Sequence, residues 1–372
     1  MAYHTSATTK GGRNGRAELD THGLALAMAL PKDLGGAGDG HNPEQLFAIG
    51  YSACFGQAIL ALAKKHGATA PLLTAHRIMG ISLACTGDIG EGRTHLDQAI
   101  ALYDPAEHRP LMTRFGVDAS VSILSYRSWA LWFLGYPDAA LADADQAISD
   151  ARGIGQAATL IYALFHASWP YIECGNYARA KAVVDEAVAL ADEKGALFWR
   201  AFGMVYQGRL LAMTGESRVH KITSGLTAYR ATGAMFLVPI FLSDLARAHA
   251  EVGQFDEAWR CIGEAMTAVE TTKERWYEAE INRIKGEIAL KLPQLGPSEA
   301  EVYFERALAV ARQQRAKSWE LRAAMSIARL WRDQGKRDEA RNLLTPVYNW
   351  FTEGFDTLDL KEAKALLDTL AS

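Results

Sequence analysis

Glycine recurs along this chain wherever a helix has to stop, and the interval hardly changes. Gly87, Gly135, Gly175, Gly215, Gly253 and Gly335 fall roughly 40 residues apart, with one interval spanning two copies. A fixed period of ~20–50 residues marks a stacked repeat protein, because each unit buries its apolar face only on its neighbours. Ser168–Ala191, SWPYIECGNYARAKAVVDEAVALA, shows one copy in full. It reads as the second half of a helix, a turn at Gly175, and a second helix that Asn176 is placed to cap. Ala180, Val184 and Ala187 recur at helical spacing and put small and apolar side chains on one face. Ala140, Ala144 and Ala147 repeat this after Gly135, Ala258, Ile262 and Ala265 after Gly253, and Ala340, Leu344 and Val347 after Gly335. Gly92, Leu96 and Ala99 follow Gly87; Ala300, Phe304 and Ala307 follow a longer turn through Pro293–Pro297. The helix after Gly215, through Leu226 and Tyr229, fits less well.

This small–large–small pattern resembles the tetratricopeptide repeat, lengthened beyond its usual ~34 residues. The expected fold is mostly α: about seven helical hairpins forming a superhelix over residues 68–372, preceded by a short α+β fragment. The hairpins are expected at Leu72–Pro105, Val121–Arg152, Thr159–Lys194, Leu197–Arg230, Pro239–Val269, Tyr277–Arg312 and Ser318–Trp350. Ala106–Asp118 is an irregular connector, and Leu358–Leu370 an amphipathic capping helix.

Composition excludes some classes. A net charge of −4 over 372 residues leaves no basic footprint for nucleic acid. No apolar run of ~18 residues is present to cross a membrane, and the first twenty residues lack a signal-peptide core, so the cytoplasm is the default compartment. Cys54, Cys85, Cys174 and Cys261 stand too far apart for a disulfide framework or a metal spacing. His76, His95, His108, His166, His220 and His249 show no ligand spacing either. No metal and no cofactor is expected.

Glycine content divides the chain: eleven of the 32 glycines lie in residues 1–67, so a boundary is expected near Gly67–Pro71. Tyr3–Thr9, Arg16–Asp20 and Gly23–Leu30 read as a β-meander, with a turn at Gly11–Gly15 and a glycine-rich loop over Leu34–Gly40. Asn42, Pro43 and Glu44 start a helix that runs to about His66, with Cys54 in its middle.

The runs GGRNGRA and NPEQLFAIGYSACF, with the loop Pro31–Gly40 between them, resemble the N-terminal half of the organic hydroperoxide resistance family of thiol peroxidases. The resemblance implies that Cys54 is the peroxidatic cysteine, Arg13 the arginine that stabilises its thiolate, and Glu44 the carboxylate that orients Arg13. The chemistry suits those residues: a thiolate is the nucleophile toward a peroxide, a guanidinium lowers its pKa, and the product is a sulfenic acid. The family's second half, with its resolving cysteine, is replaced after about Lys65 by helical repeats.

The runs HRPLMTRFGVDASVSILSYRSWALWFLGYPDAAL and ERWYEAEINRIKGEIAL, and the stretch from Ser318 to Leu367, resemble the C-terminal repeat array of bacterial multidomain regulators. Those regulators also carry a class III adenylate cyclase or a DNA-binding domain, and an AAA-type ATPase. No GxxxxGK[ST] run is present, so no nucleotide chemistry carries over. The resemblance implies a sensing or interaction role, and a protein or peptide partner is expected on the concave face of the array; the balanced charge and the lack of a long apolar run leave no nucleic acid or membrane partner expected.

Trp129, Trp132, Trp169 and Trp199, with Tyr126, Tyr162 and Tyr171, sit on consecutive hairpins. They line a groove for a peptide or apolar ligand, or they form inter-repeat core, the reading we favour because aromatics supply most burial in such stacks. For the whole chain the expectation is a non-enzymatic interaction and sensing module with a vestigial peroxidase piece. The alternative is a thiol peroxidase or redox sensor that uses Cys54. A third account is a join of two unrelated reading frames near Gly67.

Overall fold

The computed structural model describes residues 7–10, 16–19, 25–27, 69–213, 219–292 and 294–371. The chain divides into two compact units, Met1–Ala75 and His76–Ser372. In the first, β1 (Ala7–Lys10), β2 (Arg16–Leu19) and β3 (Ala25–Ala27) form an antiparallel sheet in the order 1-2-3, with Ala7 opposite Leu19 and Arg16 opposite Ala27. This is the expected meander. Arg13, Glu44, Cys54 and the helix expected over Asn42–His66 lie outside the described residues, as does Gly215.

Helix α1 (Thr69–Thr86) crosses the division between the units. It is followed by α2 (Ile89–Ala101). The connector is less irregular than expected: it folds into α3 (Pro105–His108), a single 3₁₀ turn over Arg109–Leu111, and α4 (Met112–Phe115). Asp104 accepts from the Ala106 N–H at 2.8 Å to start α3, and Pro105 fits the first helical position. The hairpins then follow as α5 (Ala119–Phe133) with α6 (Pro137–Ile154), and α7 (Ala157–Glu173) with α8 (Tyr177–Glu193). Next come α9 (Leu197–Met213) with α10 (Val219–Ala231), and α11 (Val238–Glu251) with α12 (Phe255–Thr272). Last are α13 (Glu278–Ala289) with α14 (Pro297–Gln313), α15 (Lys317–Asp333) with α16 (Arg337–Tyr348), and the terminal α17 (Leu358–Ala371).

One turn is used again and again. Gly87, Gly135, Gly175, Gly195, Gly253 and Gly335 all have φ between 62° and 101°, the left-handed region open to glycine. After each, the next N–H reaches back five residues, as Asn176 N to Tyr171 O at 2.7 Å and Lys336 N to Trp331 O at 2.8 Å. These are Schellman closures, which satisfy the last carbonyls of one helix as the next begins. Asn176 stands where a cap was expected, but its side chain makes no capping bond; the backbone closure already fixes the turn. Between α14 and α15 the same closure, Ala316 N to Ala311 O at 2.8 Å, is made with Arg315 at φ 55° in place of glycine.

Packing follows the small-residue register. Ala140, Ala180, Ala258, Ala300 and Ala340 are each 0% exposed, at the start of the second helix of their hairpins. Gly92 lets two helix backbones meet closely: a Cβ there would stand 2.7 Å from the Ala84 nitrogen of α1. The first helices of the hairpins are buried nearly all round, as in α5, where only Ala119 and Arg127 keep partial exposure. The second helices bury one stripe and face water on the other, as α8 does through Ala180, Val184, Ala187 and Ala191. The array is therefore an inner layer of first helices inside an outer layer of second helices. Helix α17 closes it, burying Leu360, Ala363, Leu366 and Leu370. No described helix is long and apolar enough to cross a membrane.

Candidate functional site

The inner layer is filled by its own aromatic rings. Trp129 and Trp132 of α5, Trp169 of α7, Trp319 of α15 and Trp276 just before α13 are the largest fully enclosed side chains. Trp132 meets Trp319 edge-on at 4.7 Å between ring centroids, and Trp129 meets Trp276 at 5.1 Å. The Trp129 indole donates to His166 O at 2.8 Å, and that of Trp319 to Trp276 O at 2.9 Å. Tyr126 and Tyr171 are buried as well. A groove lined by Trp129, Trp132 and Trp169 is thus not what these rings form: each is at most 2% exposed and its faces are spent on other rings. Trp199 and Tyr162 keep partial exposure, 5.9 Å apart. His166, enclosed between Tyr162 and Trp129, is pushed down to about 4 by burial, so it is neutral.

Beside the rings runs a line of buried charge that was not anticipated. Arg209 of α9 is 2% exposed and contacts Glu173 of α7, with its Nε 3.3 Å from Asp244 of α11. Arg247 of α11 reaches Glu280 of α13 at 3.0 Å, and Arg283 holds the same carboxylate at 2.7 Å through both Nε and Nη2. Arg322 of α15 bonds Glu173 and Asp359, each at 2.7 Å. Burial alone would raise Glu280, but Arg283, Arg322 and Arg247 hold it down at about 2. Burial wins at Asp244, which rises to about 6 against the pull of Arg209 and Arg247. A cavity of about 220 Å³ opens against Arg247, Glu280, Arg283, Arg322 and Asp359. A signal did exist: Glu173, Arg209, Asp244, Glu280 and Arg322 stand one per repeat, each on a first helix. These groups face one another, so the arrangement joins repeats; it does not present a nucleophile or a base.

Glu274 is a buried carboxylate with no cation paired to it among the described residues. It accepts from Leu237 N at 2.9 Å and from the Trp276 indole at 2.9 Å, and burial raises it to about 7. It thereby fixes Leu237, whose φ of 63° begins α11.

An open cleft of about 800 Å³ lies between the α1–α2 turn on one side and α13, α14 and the α14–α15 turn on the other. Asp88 and Glu91 stand on the first wall, and Arg275, Arg306 and Arg315 on the second. Its floor is sewn together: Arg275 N donates to Cys85 O at 2.8 Å, and Gln314 Nε2 to Arg275 O at 2.8 Å. A second, mostly apolar depression of about 580 Å³ is lined by Tyr177, Leu210 and Leu211. Cys85, Cys174 and Cys261 are free thiols, each raised above its ordinary pKa by burial. Among the described residues no cluster of His, Cys, Asp or Glu is arranged to hold a metal ion.

No family model matches the chain. It is 52% identical over 64 residues to the organic hydroperoxide resistance protein of Xanthomonas axonopodis pv. citri, a match covering 17% of this chain and 45% of that protein. It is 36% identical over 97 residues to the organic hydroperoxide resistance protein-like 2 of Staphylococcus saprophyticus, covering 23% of this chain and 68% of that one. The chain thus spans 45% of the length of the Xanthomonas protein. In fold it is similar to a Rap protein crystallised with competence and sporulation factor, at TM-score 0.56 and 14% identity over 80% of this chain and 87% of that one. It is also similar to a plasmid-encoded Rap conjugation gene regulator in complex with a Phr peptide, at TM-score 0.52 and 11% identity over 83% and 77%. At such identities the likeness is one of fold alone. Through a short segment the chain belongs to the organic hydroperoxide resistance family, and most of its length is a tetratricopeptide-like helical superhelix.

Proposed function

We propose that the repeat unit is a protein- or peptide-binding module of a bacterial signalling regulator, acting in the cytoplasm without chemistry of its own. The observation that carries this reading is the fold, shared with Rap proteins whose structures hold a competence and sporulation factor or a Phr peptide. The free thiols of Cys85, Cys174 and Cys261 suit a reducing compartment. Because rings and ion pairs occupy the inner layer, the partner is taken at an edge of the array rather than deep in its concave face. The likeness to the repeat arrays of cyclase- and ATPase-bearing regulators supports a sensing role. We place the domain boundary near Gly67–Pro71, a few residues before the division between the compact units at Ala75 and His76. Titration of the full chain with pools of labelled acidic, basic, mixed-charge and apolar peptides tests the proposal. Saturable binding by one pool is expected; equal, non-saturating signals from all pools would sink it.

Membership of the hydroperoxide resistance family favours a second reading. Here the Cys54 thiolate, stabilised by Arg13 and Glu44, attacks a peroxide oxygen. The O–O bond breaks, the alkoxide leaves and takes up a proton, and Cys54 becomes a sulfenic acid. Hydroperoxide consumption that persists over many cycles and is lost in Cys54→Ser would favour this reading over the first.

A further inference from the structure

We infer that the cleft between the α1–α2 turn and the α14–α15 turn binds a short peptide segment of mixed charge. Its acidic side chain lies on Arg315 and Arg306, and its basic side chain on Asp88 and Glu91. The inference rests on the reading of the repeat unit as a peptide-binding module and assigns it a site.

Three observations converge on this cleft. The first is its polarity. Asp88 and Glu91 have no ion-pair or hydrogen-bond partner for their carboxylates among the described residues, and they face the arginine wall across the opening. On that wall Arg306 and Arg275 hold Glu278 only loosely, at 3.5 Å and 3.7 Å. Arg315 is exposed, and among the described residues its guanidinium has no ion-pair or hydrogen-bond partner. Unspent charge of both signs thus lines one cleft.

The second is backbone strain. Arg315 occupies the left-handed turn position that glycine fills at Gly87, Gly135, Gly175, Gly253 and Gly335. A Cβ at such a φ is unfavourable, and a chain that keeps a side chain there holds the guanidinium at a cost in stability. The third is an unsatisfied acceptor. Gln314, 9% exposed, spends its Nε2 on Arg275 O, while its Oε1 is buried without a hydrogen-bond partner. A small turn of the Gln314 side chain into the cleft would let a bound peptide N–H satisfy that oxygen.

The test uses the full chain and three labelled hexapeptides: Asp-Asp-Gly-Gly-Lys-Lys, an all-aspartate analogue and an all-lysine analogue. The mixed peptide is expected to saturate, binding about threefold or more tightly than either analogue, as two exposed ion pairs allow. Arg315→Gly should raise the thermal midpoint and weaken the mixed peptide by a similar factor. Glu91→Lys should weaken the mixed peptide while leaving the all-aspartate peptide unharmed or improved. Equal affinities for the three peptides would overturn the assignment. So would an Arg315→Gly variant that is stabilised yet binds unchanged. If some other peptide pool saturates the chain and ignores both variants, this cleft is the wrong site and the binding-module reading survives.

Discussion

Arg322 on α15 donates through Nη1 to the Glu173 carboxylate at 2.7 Å and through Nη2 to the Glu173 carbonyl at 3.2 Å, across 149 residues of sequence. Near it, Ser318 Oγ donates to Trp132 O at 2.5 Å, and Leu358 N reaches Cys174 O at 3.4 Å. The last hairpins are thus fastened to the α5–α7 region, and the inner layer is closed by contacts that no single repeat contains.

Replacing Arg322 with alanine should therefore do more than remove one ion pair. It leaves Glu173, Glu280 and Asp359, all facing the lost guanidinium, with less positive charge in a largely buried site. Breaking a buried pair from one side costs about 3–5 kcal/mol. The denaturation midpoint of Arg322→Ala, compared with the parent chain, measures it; a loss below about 1 kcal/mol would mean that water already screens this cluster.

Ala180 is 0% exposed where α8 crosses α7. A leucine there has to displace its neighbours, and overpacking of this kind costs about 1–3 kcal/mol. Thermal unfolding of Ala180→Leu reports it directly, and an unchanged midpoint would argue against the crossing described here. Lys181, the next residue, points to water and pairs with Asp185 at 2.5 Å, so Lys181→Leu serves as the control of similar size.

These two sites show what was legible in the sequence and what was not. The crossing at Ala180 was readable because small residues at fixed offsets from a glycine are a local pattern. The same holds for the hairpins and the three-stranded meander. The charged line through Glu173, Arg209, Asp244, Glu280 and Arg322 was not readable in that way. Its members pair only after the repeats curl together, and a charge on a helix is ordinarily taken as solvated. For the same reason Trp129 and Trp276, 147 positions apart in the chain, could not be paired beforehand. Arg315 looks unremarkable until its φ is known, because only the backbone shows that it stands in a glycine's place.

Glu274 should tie stability to pH. Its folded pKa of about 7 lies above its ordinary value of 4.5, because burial outweighs the bonds from Trp276 and Leu237. The folded state therefore holds the proton more tightly between those values. The contribution of this group is fully present below pH 4.5 and is lost as pH rises through about 7. The whole effect is on the order of 3 kcal/mol at ~1.4 kcal/mol per unit. Asp244, raised to about 6, acts in the same direction, whereas His166, lowered to about 4, opposes both. The decisive measurement is the difference in unfolding free energy between the parent and Glu274→Gln. That difference should shift against the parent as pH rises from 4.5 to 7, and a flat difference would refute the assignment.

The last expectation concerns the family's chemistry. A two-cysteine cycle needs a second thiolate to convert a sulfenic acid into a disulfide that a dithiol can open. Burial raises Cys85, with Glu274 adding to the effect, and it raises Cys174 and Cys261 as well. None of the three is a thiolate at neutral pH, and each stands in the helical repeats. An organic hydroperoxide added to the full chain should be consumed in a burst of about one equivalent, with little further loss when dihydrolipoamide is present. Cys54→Ser should abolish the burst, while Cys85→Ser should leave it intact. Sustained consumption by the parent chain would show that Cys54 is regenerated, and would make the peroxidase the working part of this protein.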